Sequence, residues 1–149
     1  MKLEWGLTAG NAEGEVDRLL AVSRKAEGGL PLTEAQARAV AQTHGEALRR
    51  TGRIEFGKSA AEKLAEVYAG SPWLTREEQG QQLAELAALF YDCRAELPDS
   101  LPDGWLLEQM RRAFDGPCRG CMELMNDCFL LQLPRHLRQG GRPEDFGRL

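Results

Sequence analysis

The chain is poor in the residues that catalysis leans on. It has only 2 histidines among 149 residues. Neither has a companion Ser, Cys or Asp at an interpretable spacing, so no nucleophile–base pair is legible and no catalytic residue is expected. No apolar run approaches the ~18 residues of a membrane span, so no membrane partner is expected. The opening Met1-Lys2-Leu3-Glu4-Trp5-Gly6 lacks an apolar h-region, so no secretory signal is expected. The 4 cysteines are irregularly spaced and then read as reduced thiols in a cytoplasm. Net charge is −4, which does not favour nucleic acid. The last eighteen residues carry +2, with Arg135, Arg138, Arg142 and Arg148 against Glu144 and Asp145, but lack interleaved aromatics. There is no repeat, low-complexity tract or domain linker.

What is present is helix after helix. Hydrophobic residues make up 42% and charged residues 28%, ordinary values for one globular domain. Helical spacing predicts segments near 12–26, 34–50, 60–69, 76–97, 102–114 and 118–133. Thr33 with Gln36, Ser59 with Glu62, and Thr75 with Glu78 each have the spacing of an N-terminal capping box. Along 76–97, Leu83, Leu86, Ala87, Phe90, Cys93 and Leu97 fall on one face, making this the expected central helix. The prediction is an all-α fold of about six helices in an orthogonal or irregular bundle, with a short extended segment at 53–57. Residues 1–140 read as one helical domain and 141–149 as a loose tail.

Residues Gly52 to Ser59 read GRIEFGKS and satisfy the P-loop pattern of nucleotide hydrolases. A P-loop follows a buried apolar strand, whereas Gln42 to Thr51 are polar and helix-favouring. Ile54 and Phe56 resist unusual backbone angles, and Glu55 would face the phosphates. The simpler reading has three parts. Gly52 ends one helix in the left-handed conformation. Residues 53–57 alternate, with Ile54 and Phe56 turned inward. Ser59 caps the next helix.

Cys118-Arg119-Gly120-Cys121 is a C-x-x-C at an expected helix start, where the dipole lowers a thiol pKa. Redox sites of this type need a βαβ context, and zinc needs four ligands, whereas this chain has no second C-x-x-C. Cys128 lies seven residues on, ~10.5 Å along a regular helix, too far to share an ion. Cys118, Cys121, Met122, Met125, Cys128 and Phe129 share one arc, the pattern of core cysteines. His44 sits on the apolar stripe of its helix, the place of a hydrogen-bonded core histidine.

Leu32-Thr33, Ala47-Leu48-Arg49, Thr51 to Gly57, Ser71-Pro72-Trp73, Leu83 to Leu86, Phe90-Tyr91, Leu107 to Met110 and Phe114-Asp115-Gly116 resemble a family of small uncharacterised bacterial proteins carrying a TGRIEFG-type segment. The resemblance covers roughly residues 16–130. It implies a cytoplasmic bacterial protein of one helical domain, with no established activity and no catalytic residues to carry over.

The leading expectation is a non-enzymatic interaction module acting through a protein partner or self-association, with Arg53, Glu55, Phe56 and Gly57 as binding candidates and no cofactor. Trp5, Trp73 and Trp105 are candidate anchors. The alternative is a thiol-based metal or redox protein using Cys118 and Cys121. A third reading is nucleotide binding at 52–59.

Overall fold

The computed structural model describes residues 11–25 and 30–146. Trp5, the Gly28-Gly29 helix stop and residues 147–149 lie outside this range. Nine segments follow in chain order: α1 (Asn11–Lys25), α2 (Glu34–Thr51), α3 (Ala60–Tyr68), α4 (Gln79–Arg94), α5 (Asp103–Asp115), α6 (Met122–Met125), a π-helical turn (Asn126–Leu130), α7 (Gln132–Arg138) and α8 (Pro143–Phe146). The fold is an all-helical bundle, with no strand among the described residues.

Local chemistry sets the helix boundaries. Thr33 and Gln36 close a reciprocal capping box on α2, and Ser59 and Glu62 do the same on α3. Each satisfies two N–H groups that the first turn leaves without helical partners. Gly52 ends α2 at φ 73°, its N–H donating to the Leu48 carbonyl at 2.9 Å. A side chain there would be strained, which is why glycine serves. Thr75 Oγ accepts from the Glu78 N–H at 3.2 Å, but the residues after it form a turn and α4 begins at Gln79.

α4 is the hub. It packs against α2, α3, α5 and the π turn. Its buried residues include Leu83, Leu86, Ala87, Phe90, Tyr91 and Cys93. They occupy more than one stripe, as a helix enclosed by its neighbours requires. α2 crosses α4 closely at Gly80, where an added Cβ would lie 2.6 Å from Gln36 Cγ. α1 covers α2 and α3 through buried Val16 and Leu19. On the other side Tyr68 meets Phe114 edge-on at 5.3 Å, joining α3 to α5.

The C-terminal third departs from the sequence expectation. A single helix over 118–133 is not formed. Arg119 (φ 49°) and Gly120 (φ 78°) are left-handed, so Cys118–Cys121 is a turn and α6 starts only at Met122. A π turn follows, with the Leu131 N–H reaching back to the Asn126 carbonyl at 2.9 Å. Pro134 does not stop the chain's helical course but lies inside α7. Proline cannot donate to the carbonyl four residues back, and that carbonyl, of Leu130, accepts instead from Cys93 Sγ at 3.6 Å. The stretch read as a loose tail contains α8, whose Phe146 is buried and packs edge-on against Phe129 at 5.2 Å. No helix among the described residues is long and apolar enough to cross a membrane.

Candidate functional site

Between the stop of α2 and the cap of α3 runs a strap, residues 53–57. Its side chains alternate, as in a strand, but with the phase opposite to the expected one. Ile54 is 75% exposed and Phe56 89%. Arg53 and Glu55 are the residues that turn inward.

The reason lies beneath the strap. His44, on the inner face of α2, stands between two carboxylates: Nδ1 is 2.5 Å from Glu15 of α1 and Nε2 is 2.7 Å from Glu55. Each carboxylate demands a proton donor, and only the imidazolium form offers two. Burial alone would lower the His44 pKa, but the hydrogen bonds and charges of Glu15 and Glu55 outweigh it and raise it from 6.5 to about 9. The second Glu55 oxygen accepts from Arg53 Nε at 2.9 Å and from the Tyr91 hydroxyl at 2.8 Å. Burial would raise the Glu55 pKa, but bonds from His44, Tyr91 and Arg53 bring it down to about 2. Burial and the neighbouring Glu55 charge push the Tyr91 phenol upward.

The cluster continues outward. Arg53 reaches Asp103 at the start of α5 at 2.5 Å, and the other Asp103 oxygen accepts from Arg94 Nε at 2.9 Å. Arg53 also lies over the Tyr91 ring, 5.7 Å from its centroid. On the far side the Ser59 hydroxyl donates to Glu15 at 3.2 Å, so the α3 cap belongs to the same network. Glu15, Glu55 and Asp103 balance His44, Arg53 and Arg94. A neutral, fully hydrogen-bonded set is the form in which buried charge is tolerated. No buried side-chain polar atom among the described residues lacks a partner. Since both His44 nitrogens are engaged, the imidazole has none left to act as a base or metal ligand.

The cluster explains the inverted alternation. Turning Ile54 and Phe56 inward would withdraw Arg53 and Glu55, taking from His44 and Asp103 one of their two partners each and breaking the charge balance of the cluster. Leaving a buried charge uncompensated costs about 3–5 kcal/mol, against roughly 1.5–3 kcal/mol for burying one apolar side chain. The polar pair therefore takes the inside. Glu15, Tyr91, Arg94 and Asp103 were not read from the sequence as members of any site. One available signal was Glu15 itself, an acid adjoining the apolar Val16 and Leu19 of α1.

The other candidates fall elsewhere. GRIEFGKS is preceded by helix, and Lys58 pairs with Glu66 on the surface. Gly57, at φ 71°, turns the chain out of the strap toward the Ser59 cap. Cys118 is buried, Cys121 half-buried and Cys128 exposed. Burial, then the neighbouring Cys128 and Cys121, raise the Cys118 pKa, opposite to the shift of a reactive thiol. Cys118 and Cys128 nevertheless line one cleft, because the turn and the π turn replace the regular helix. No group of three or more His, Cys, Asp or Glu suited to a metal ion occurs among the described residues. Trp73 is 40% exposed and donates to the Asp115 carbonyl at 3.2 Å, whereas Trp105 lines a cleft.

Residues 19–143 match the model of a family described as a family of unknown function, DUF6323. The strap, His44 and the three thiols lie within the match; Glu15 precedes it. No curated protein and no solved structure matches the chain.

Proposed function

We propose, for a chain that belongs to the DUF6323 family and inherits no activity from it, that it is a non-enzymatic interaction module, and that its strap pairs with the strap of a second copy. The observation that carries this reading is the exposure of Ile54 and Phe56 on a segment anchored from below by Arg53 and Glu55. Isolated exposed apolar residues are ordinary. Here two large ones stand side by side, and the residues between and beside them are anchored in a buried ion cluster.

The strap also has free edges. No backbone N–H or C=O of Ile54 to Gly57 has a partner among the described residues, the condition for strand addition. Antiparallel pairing about Glu55 sets Ile54 of each copy opposite Phe56 of the other. Two-fold symmetry thus makes two β-branched–aromatic pairs, each worth about 0.2–1 kcal/mol. A contact of this extent falls short of the roughly 1,200 Å² of a standard stable interface, so the dimer is weak and concentration-dependent. Each copy carries −4, so added salt strengthens it by screening repulsion.

Sedimentation equilibrium over a range of concentrations tests this. The expected result is reversible dimerisation that the double substitution Ile54→Ser/Phe56→Ser abolishes. A wild-type chain monomeric throughout would leave the exposed Ile54 and Phe56 to a partner of different sequence and end the self-association reading. Association that survives the double substitution would end it as well.

A further inference from the structure

A second feature involves none of the charged residues of the cluster. A cavity of about 570 Å³ opens between α5, the π turn and α8, within the ~300–1,000 Å³ typical of small-molecule sites. Trp105, Gln109 and Arg112 come from one face of α5, spaced four and three residues apart. Phe129 enters from the π turn and Phe146 from α8. The edge-on contact of Phe129 with Phe146 fixes the far wall, and the His136 ring supports Phe146 from behind at 5.3 Å. The π turn moves Phe129 and Cys128 onto this wall. Such turns inside helices gather at functional sites.

The lining states a chemistry. Three aromatic side chains favour a flat ring system, which stacks or meets them edge-on. Arg112 uses only Nη2, at 2.8 Å, in its surface pair with Glu108, leaving the rest of its guanidinium fork for an anion. Gln109 adds a neutral amide beside it. Glu144 on the α8 wall disfavours a second negative charge. We propose that this cleft binds a small aromatic monoanion, a ring carrying one carboxylate or sulfonate, with the ring among Trp105, Phe129 and Phe146 and the acid group on Arg112.

Cys128 supplies the readout, because it is an exposed thiol on the wall, while Cys121 is half-buried and does not line the cavity. Alkylation by iodoacetamide, followed by peptide mass spectrometry, is run with increasing 2-naphthoate. The expected result is saturable protection of Cys128 with Cys121 unchanged, and weaker protection by the neutral 2-naphthylmethanol. Arg112→Gln, which removes the charge at an exposed position, weakens naphthoate protection about tenfold or more, as loss of a charge-assisted bond implies. Glu144→Gln strengthens it. No protection of Cys128, or equal protection of Cys121, overturns the site. Equal protection by the neutral alcohol, or an unchanged Arg112→Gln variant, overturns the anion.

Discussion

His44 is the residue on which most of the buried charge depends. Glu15 of α1 and Glu55 of the strap face its two nitrogens, Arg53 lies beyond Glu55, and the Tyr91 ring of α4 sits 5.5 Å away. Its pKa is raised from 6.5 to about 9, so its contribution to stability is complete below pH 6.5 and lost as pH climbs through 9. Glu55, lowered from 4.5 to about 2, contributes fully above pH 4.5 and fails as pH falls through 2. Stability from this cluster is therefore greatest between pH 4.5 and 6.5. Above that window it declines with a limiting slope of about 1.4 kcal/mol per pH unit, the value for one proton. Urea unfolding between pH 6.5 and 8.5 measures this decline. His44→Gln, with no imidazole to titrate, loses the slope as well as much of the stability. A flat wild-type profile, or an equally steep variant, would remove His44 from the role.

The strap shows what an element's sequence discloses and what it conceals. Its stop at Gly52, its alternation and its cap at Ser59 were all legible, because each depends on residues within a few positions. Its phase was not. Apolar-inward is the default for alternating segments, and here it is overridden by partners far along the chain, with Arg53 and Asp103 50 residues apart. The C-terminal helix misled for a related reason. Pro134 reads locally as a stop, yet the carbonyl it leaves unserved is met by Cys93 from another helix. The inversion makes a contrast that the usual rule would reverse. Glu55→Ala, at a polar residue in a loop, destabilises by about 3–5 kcal/mol because His44 and Arg53 lose their shared partner. Ile54→Ser and Phe56→Ser, at large apolar residues, each change monomer stability by no more than about 0.5 kcal/mol. Chemical denaturation at low protein concentration distinguishes the two cases. Large losses at Ile54 or Phe56 would mean that these side chains are core after all.

At the scale of the whole molecule, α1, α2, the strap, α3, α4 and α5 each contribute a side chain to one neutral network, so the strap is tied directly to the bundle's core. An all-helical fold could be read from capping and periodicity. The joining of these segments in one network around His44 could not, since tertiary packing alone brings them together. The arrangement has a consequence for unfolding. Strap pairing requires Arg53 and Glu55 to be seated, and they are seated only in the folded bundle, so a dimer binds the native state and not the unfolded chain. Mass action then raises the thermal midpoint as protein concentration rises. The rise should be visible for the wild-type chain and absent for Ile54→Ser/Phe56→Ser, whose midpoint at high dilution matches that of wild type. Raising salt should steepen the wild-type dependence by screening the charge of −4 on each copy. Calorimetry over a wide concentration range measures both effects. A concentration-independent wild-type midpoint would separate the ion cluster from any role in self-association and leave it as the bundle's internal clasp.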